Sequence, residues 1–350
     1  MTIRLLILGT GGMAGNHAEG FARIAGVDLV AGVDTRPDQM QQFCKTHGLA
    51  HGFTSLDEAL AWGQFDAVTN VTPDAAHYAT TLPILAAGKH ILCEKPLATR
   101  WAEADEMARA AKTAGVVNMV NLSYRNGAAL QEAARLVADG AIGALRHFEA
   151  SYLQSWLTQP AWGEWRTEPQ WLWRLSSAHG SKGVLGDVGI HILDFATFAA
   201  GQEAVDVSAR LATFDKAPGG KIDDYTLDAN DSATMQIRLT GGALGVVHAT
   251  RFATGHLNDL RLRLYGDAGG LEVGFENGQS RLTLCTGPDR LTATWREVSC
   301  PQTPSVYQRF IAAIRGNGAA TPDFHRGAQL QRLLDRAEES AAQGGRVLAV

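Results

Sequence analysis

The chain is poor in the features that mark several large classes of protein. Its four cysteines (Cys44, Cys93, Cys285 and Cys300) form no CxxC pair and no metal-ligand spacing, so neither a disulfide framework nor a zinc site is predicted. Lysine and arginine (31) are outnumbered by aspartate and glutamate (36), which argues against a nucleic-acid partner, because phosphate binding needs a clustered basic excess. No apolar run reaches the length of a membrane span or a signal-peptide core. These absences predict a cytoplasmic protein that binds neither membranes nor nucleic acid.

The first third of the chain alternates short apolar runs with helical stretches, as parallel βαβ units do. Because 350 residues are too many for one ordinary core, two domains are expected. The pattern predicts strands at Ile3–Leu8, Leu29–Val33, Ala67–Val71, His90–Cys93 and Val116–Val120, and helices at Ala14–Ala25, Pro37–His47, Ala75–Ala87 and Arg100–Ala114. Residues 1–122 are therefore predicted to form an α/β domain with a doubly wound parallel sheet, a Rossmann fold.

After Asn121 the pattern changes and strands dominate, so residues 123–350 are predicted to form a second, α+β domain with an antiparallel sheet. The strands are predicted at Leu145–Tyr152, Ala233–Leu239, Gly245–Ala253 and Arg261–Gly266, and the helices at Ala128–Asp139, Val188–Ala200, Ser305–Arg315 and Arg326–Gln343.

A glycine-rich turn, Gly9-Thr10-Gly11-Gly12-Met13-Ala14, follows the first strand and opens the first helix. This G-x-G-x-x-A pattern lets backbone approach a pyrophosphate, and the helix N-terminus supplies N–H groups for the phosphates. Asp34 ends the second strand, where a carboxylate hydrogen-bonds the adenine ribose. The pattern predicts a nicotinamide dinucleotide site, with a ligand-free turn as the alternative. Asp34 favours NAD because it would repel a 2′-phosphate, whereas Arg36 keeps NADP open.

Lys95 stands in Glu94-Lys95-Pro96, directly after the strand predicted at His90–Cys93. Ligands of open α/β sheets bind at the carboxyl ends of the strands, so packing explains a lysine there poorly. The following proline biases Lys95 toward an extended backbone. We interpret Lys95 as a ligand contact, with an ordinary surface lysine as the alternative.

Asp187 and His191 lie four residues apart at the start of a predicted helix and so share one of its faces. With Lys95 they offer an acid, a base and a cation for chemistry near a nicotinamide. The alternative for His191 is a histidine of the protein core whose hydrogen bonds are satisfied within the fold. A metal held with His179 and Asp194 is a second alternative, but no metal is predicted, and Asp194 is interpreted as a carboxylate on the helix face.

Together these motifs resemble the Gfo/Idh/MocA family of oxidoreductases, which includes glucose–fructose oxidoreductase and inositol dehydrogenase. The marks of the resemblance run over nearly the whole chain: Gly9-x-Gly11-x-x-Ala14-x-x-His17, Thr72-Pro73 with His77, Glu94-Lys95-Pro96, Trp173-Arg174 and Asp187-x-x-x-His191. The chain departs from the pattern in two places: Ala14 replaces the usual third glycine, and the run 121–126 replaces an Asn-x-Arg followed by proline. The second departure leaves the roles of Asn121 and Arg125 less defined.

The resemblance implies a Rossmann domain followed by an open-faced antiparallel sheet with helices on one face, and sugars or cyclitols as substrates. An open face would suit a homo-oligomer, a dimer or tetramer. The resemblance assigns catalysis to Lys95, Asp187 and His191. The residues predicted to bind cofactor are Gly9, Thr10, Gly11, Gly12, Met13, Ala14, Asp34, Thr35, Arg36, Thr72, Pro73, His77, Glu94, Lys95, Asn121, Trp173 and Arg174. Those predicted to bind substrate are Lys95, Tyr124, Trp156, Trp165, Asp187 and His191.

Five of the eight tryptophans fall between residues 156 and 173. Flat indole faces suit the C–H faces of sugar rings, and Trp156 and Trp165 are the two predicted to contact substrate. The alternative, expected for about three of the five, is that they pack this irregular segment.

The expected reaction is hydride transfer between nicotinamide and a secondary alcohol or ketone carbon. His191 takes the hydroxyl proton, Lys95 hydrogen-bonds the same oxygen, and Asp187 orients the substrate or tunes His191. Two other functions stay open: a glycoside-cleaving enzyme whose bound NAD oxidises the sugar transiently, and a ligand sensor without catalysis.

Overall fold

The computed structural model describes residues 2–350, apart from the side chain of Pro169, and the chain forms two compact units. The first unit comprises residues 2–123 and 304–331, and the second comprises residues 124–303 and 332–350. The sequence pattern groups residues 304–331 with the second domain. In the structure they belong to the first unit, because Val306, Phe310 and Ile311 share its core with Leu5 and Phe21.

The first unit contains a six-stranded parallel sheet in the order β3-β2-β1-β4-β5-β6. The strands are β1 (Ile3–Leu8), β2 (Val27–Val33), β3 (His51–Phe53), β4 (Ala67–Asn70), β5 (His90–Cys93) and β6 (Asn118–Val120). The strand order reverses beside β1, and sheets of this kind bind ligands at that point, outside the carboxyl ends of the strands. The predicted doubly wound parallel sheet is confirmed.

The helices of the chain are α1 (Gly12–Ala22), α2 (Pro37–His47), α3 (Leu56–Trp62), α4 (His77–Ala86), α5 (Trp101–Ala114), α6 (Ala128–Ala138), α7 (Pro169–Leu172), α8 (Ile190–Ala200), α9 (Val306–Ile314) and α10 (Phe324–Ala342). None of those described is both long enough and apolar enough to cross a membrane. A π-helical turn, Leu185–Gly189, leads directly into α8. The sequence pattern predicts α8 from Val188 and does not reveal the π-turn.

The second unit is built on a nine-stranded sheet in the order β16-β15-β14-β13-β7-β12-β11-β8-β17, beside a two-stranded hairpin of β9 and β10. The strands are β7 (Leu145–Gln154), β8 (Ala204–Ala212), β9 (Lys221–Ile222), β10 (Tyr225–Thr226), β11 (Ser232–Leu239), β12 (Leu244–Thr250), β13 (Asn258–Gly266), β14 (Gly269–Glu276), β15 (Gln279–Thr286), β16 (Arg296–Val298) and β17 (Leu348–Ala349). The prediction of a purely antiparallel sheet is wrong at one pair, since β7 and β12 run parallel. Side chains alternate with period two in both kinds of pairing, so the sequence pattern does not distinguish them.

Helices α6 and α8 cover one face of this sheet and leave the other open. In β12 the inward Val247 and Ala249 are buried, whereas Leu244 and Val246 on the opposite face are 55% and 42% exposed. The predicted open face with helices on the other side is therefore present.

Candidate active site

The glycine-rich turn leaves room for close approach of a ligand. Gly9 has a φ of 86°, and a Cβ there would lie 2.6 Å from the carbonyl oxygen of Val71, so only glycine fits. A Cβ at Gly11 or Gly12 would meet nothing within 4 Å. No side chain caps the start of α1, so its first N–H groups are available to a phosphate. These observations fit the pyrophosphate of a dinucleotide.

Asp34, at the end of β2, is buried and accepts hydrogen bonds at both of its carboxylate oxygens. Its Oδ2 accepts from the Thr10 amide at 2.9 Å and the Thr10 hydroxyl at 2.8 Å, and its Oδ1 accepts from the Arg36 amide at 3.0 Å. Burial raises the pKa of this carboxyl, but the hydrogen bonds from Arg36 and Thr10 outweigh it, and the pKa is lowered to about 2. Asp34 is therefore a fixed anion beside the glycine-rich turn, partly neutralised by the exposed Arg36 side chain.

Glu94 lies in a hydrogen-bonded network that determines the backbone position of Lys95. Its Oε1 lies 2.7 Å from His17 Nε2 and accepts from Asn121 Nδ2 at 2.5 Å, while its Oε2 accepts from the Lys95 amide at 3.1 Å. The other ring nitrogen of His17 lies 2.7 Å from Thr69 Oγ1. Burial raises the pKa of Glu94, but His17 and Asn121 bring it to about 2. The network thus joins α1 to the ends of β4, β5 and β6, with Lys95 half-buried beside it.

His77 is fully buried and bridges the turns that follow β4 and β5. Its Nδ1 lies 2.7 Å from the carbonyl oxygen of Pro96, and its Nε2 lies 2.9 Å from that of Thr72. Carbonyl oxygens only accept, so both contacts are satisfied only when both ring nitrogens carry protons. Burial lowers the pKa of His77, whereas Cys93 and Asp74 raise it, and it stands at about 10. His77 therefore acts on this region through the two backbone turns it holds.

In the second unit Asp187 lies in the π-turn and His191 one turn later, in α8. Turns of this kind are rare and often mark functional sites. The Asp187 side chain is 31% exposed, and its Oδ2 accepts from Arg251 Nη2 at 3.0 Å and lies 3.9 Å from Arg174 Nε.

His191 is buried and packs edge-on against Tyr124, with ring centroids 4.9 Å apart. The Tyr124 and Tyr152 hydroxyls lie 2.7 Å apart, and Asn258 bonds to both. Burial and the neighbouring Tyr124 raise the pKa of Tyr152 well above its usual value, so it stays a neutral phenol.

Asp194 forms a buried ion pair with Arg125, whose Nε donates to Asp194 Oδ2 at 2.9 Å. The guanidinium also lies 4.3 Å from the ring centroid of Phe198. This pair ties the segment carrying Tyr124 to α8, so Asp194 and Arg125 position the aromatic partner of His191.

The tryptophans divide between core and surface. Trp156 and Trp165, predicted to contact substrate, are each 3% exposed and lie in an apolar cluster with Leu172, Leu175 and Leu227. Burial of this degree leaves little ring face for a sugar.

Trp173 is half-buried, and the guanidinium carbon of Arg174 lies 4.6 Å from its ring centroid. The contact that the resemblance assigns to these two residues stays a prediction.

Each unit thus brings its own predicted residues together, and the structure adds others that sequence reasoning missed. In the first unit the addition is the bridging role of His17, and in the second it is Arg251, Tyr152 and Asn258. The sequence contains a signal for Arg251: it continues the alternation of Gly245, Val247 and Ala249, whose positions in β12 face inward. Over residues 2–350 no three His, Cys, Asp or Glu side chains are placed to hold a metal ion.

Comparison with protein families agrees with this arrangement. Residues 3–122 match the model of an oxidoreductase family with an NAD-binding Rossmann fold, and residues 130–272 match the GFO/IDH/MocA C-terminal domain. The fold and the turn at Gly9 therefore define an NAD-binding oxidoreductase. The chain belongs to the GFO/IDH/MocA family.

Individual relatives include enzymes named for sugar substrates. Levoglucosan dehydrogenase of Pseudarthrobacter phenanthrenivorans is 29% identical over 307 residues, which cover 78% of this chain and 77% of the relative. D-glucoside 3-dehydrogenase of Escherichia coli is 26% identical over 355 residues, covering 99% and 97%. A solved structure of levoglucosan dehydrogenase in complex with NADH is 26% identical, covers 100% of this chain and 99% of that one, and has a TM-score of 0.87.

Proposed function

We propose that the protein is an NAD-dependent dehydrogenase that exchanges a hydride with a secondary alcohol or ketone carbon of a sugar, sugar derivative or cyclitol. The observation that carries this proposal is that one chain contains two features. The first is a glycine-rich turn that is open to a ligand and lies beside the ionised Asp34. The second is a helix start that bears Asp187 and His191. The sugar class is supported by the relatives, two of which are named as dehydrogenases of a glucoside and of levoglucosan.

The first unit would hold the cofactor. The backbone at Gly11 and Gly12 and the start of α1 suit the pyrophosphate, and Asp34 suits the adenine ribose. When bound, the nicotinamide supplies hydride-accepting and hydride-donating chemistry. NAD is preferred because a 2′-phosphate would meet the Asp34 carboxylate, although Arg36, once released, could serve NADP.

The proton and the charge are handled by three side chains. His191 takes the hydroxyl proton of the substrate during oxidation and returns it during reduction. The Lys95 ammonium donates a hydrogen bond to the same oxygen and stabilises the negative charge that develops there. Asp187, a carboxylate paired with Arg251, accepts a hydrogen bond from a substrate hydroxyl.

The test is steady-state absorbance at the nicotinamide band with a panel of levoglucosan, alkyl glucosides and inositols, using NAD and NADP. Growth of the band with at least one substrate supports the proposal, and Lys95→Ala and His191→Ala should each lower turnover by roughly 10²- to 10⁴-fold. Product without net absorbance change would indicate glycoside cleavage by transient oxidation, and tight sugar binding without product would indicate a sensor.

We further propose that the protein is a cytoplasmic homo-oligomer, a dimer or tetramer, built through the open face of the nine-stranded sheet. The exposed Leu244 and Val246 support this, because large apolar side chains on a bare sheet face favour association. All four cysteines are free thiols, which suits a reducing compartment. Light scattering after gel filtration tests the assembly: Val246→Asp should yield monomers, and a monomeric wild type would contradict it.

A further inference from the structure

Arg251 is the largest fully buried side chain of the described chain, although it carries a charged guanidinium. It follows β12 on the inward side of the sheet, and its backbone amide donates to the Asp231 carbonyl at 3.0 Å. Its guanidinium carbon lies 5.0 Å from the ring centroid of Trp156, and its Nε meets no acceptor among the described residues. A buried cation with an unsatisfied donor costs stability rather than supplying it. Its contacts therefore indicate another role.

Two of its N–H donors form hydrogen bonds to residues beside the proposed substrate site. Arg251 Nη2 donates to Asp187 Oδ2, and Nη1 donates to the backbone carbonyl of Arg174, both at 3.0 Å. One rigid planar group thus holds the π-turn and the segment before it at a set separation. The fully buried guanidinium cannot reach solvent, whereas the carboxylate that it holds is 31% exposed.

We infer that Arg251 is a positioning residue that holds Asp187 as an oriented carboxylate, so that Asp187 accepts a substrate hydroxyl hydrogen bond and proton transfer falls to His191 alone. This inference rests on the proposed function. It decides between the two roles that the sequence leaves open for Asp187, orienting the substrate and tuning His191, in favour of the first. The Arg251 hydrogen bond fixes the carboxylate, while 31% of the Asp187 side chain stays exposed to a ligand.

The electrostatic surroundings agree with this assignment. Burial lowers the pKa of Arg251, and Asp187 followed by Asp231 raises it. Asp231 is itself paired with the buried Lys216 ammonium at 2.6 Å, so most of its charge is already balanced. The ionisable groups that face Asp187 and Arg251 from the π-turn, α8, β7 and the flanking segments are Arg174, His191, Tyr152, Asp231 and Lys216.

Two substitutions at one position separate charge from shape. Arg251→Met keeps an unbranched apolar stem but removes the cation, whereas Arg251→Lys keeps the cation but loses the planar fork. With the sugar found active in the panel, Arg251→Met should lower kcat by about 10²-fold, the usual effect of a misplaced positioning group. The acid limb of its kcat–pH profile should move up, because the Asp187 charge that Arg251 no longer balances then favours the protonated form of the base His191.

Arg251→Lys should lower kcat by less and leave the acid limb near that of the wild type. The dissociation constant for NADH should change far less than kcat in both variants, since all the residues predicted to bind cofactor except Trp173 and Arg174 belong to the first unit. Leu282→Ala is the control for simple destabilisation, because Leu282 is buried in β15, with three strands separating it from β12.

An Arg251→Met profile with the wild-type acid limb, or one in which Arg251→Lys behaves like Arg251→Met, would overturn the inference. A second readout does not need turnover. The carboxyl carbon of Asp187, labelled with ¹³C and assigned through Asp187→Asn, should titrate at higher pH in Arg251→Met than in the wild type. If no sugar is oxidised, the proposed function fails, and this titration still decides whether Arg251 holds Asp187 ionised.

Discussion

Replacing Glu94 with glutamine removes a charge while keeping the shape of the side chain, and so tests the network that positions Lys95. The pKa of Glu94 falls from 4.5 to about 2 on folding. That difference corresponds to about 3 kcal/mol of folding free energy at pH 7. Because the folded pKa is the lower one, this contribution is complete above the unfolded value of 4.5 and is lost as the pH falls through 2.

Glu94→Gln should therefore lower the free energy of unfolding by about 3 kcal/mol between pH 5 and 7, and by about half as much at pH 3. In a calorimetric scan the transition of the first unit should fall by roughly 6–12 °C at pH 7. Glu19→Gln is the matched control, because Glu19 forms an exposed ion pair with Arg23 in the same unit and such pairs are worth about 0–1 kcal/mol. An unchanged transition at pH 7, or a loss that stays constant down to pH 3, would show that the ionised Glu94 carboxylate does not stabilise the first unit.

Three further substitutions address the cofactor turn and its supports. Asp34→Ser removes the carboxylate and releases Arg36, so the ratio of kcat/KM for NADPH over NADH should rise by at least about tenfold. Asp28→Ser, on the exposed side of β2, is the control and should leave this ratio unchanged. An unaltered ratio in Asp34→Ser would mean that Asp34 does not select the cofactor. Gly9→Ala places a methyl group 2.6 Å from the Val71 carbonyl, so the affinity for NADH measured by fluorescence titration should fall at least about tenfold; normal affinity would contradict the tight turn. The pKa of His77 is raised to about 10, so its stabilisation is complete below the unfolded value of 6.5 and is lost as the pH rises through 10. Between pH 6.5 and 10, the wild-type Tm in thermal melts should therefore fall more steeply than that of His77→Phe. Parallel slopes would show that His77 is not protonated in the folded protein.

Local sequence pattern predicted most of the first unit, because most of its strands lie in largely apolar runs. β1 and β5 have the predicted bounds. The pattern missed β3, His51–Phe53, because a three-residue strand with two exposed residues has no measurable periodicity. In the second unit, the pattern does not predict that β7 and β12 run parallel, since the pairing of strands depends on contacts between residues far apart in the chain.

The candidate site was predictable only where the chemistry is local. Asp34 and Lys95 stand at strand ends, where a charged residue is informative by its position alone. The pairing of Asp187 with Arg251 joins residues 64 positions apart and needs the sheet to be known. Trp156 and Trp165 show the opposite failure, because a cluster of indoles suggests a sugar platform, whereas the fold uses both to fill an apolar core.

Isotope transfer shows whether a hydride passes directly from the substrate to the nicotinamide. The wild-type protein is incubated with NAD and a pyranoside or cyclitol from the active panel whose ring carbons all carry deuterium, and the NADH formed is examined by NMR. We expect deuterium at C4 of the nicotinamide. With His191→Ala, the amount of deuterated NADH should fall to the level set by the residual turnover of that variant. NADH that carries no deuterium, or substrate that is consumed with no NADH formed, would contradict direct hydride transfer from a sugar or cyclitol carbon.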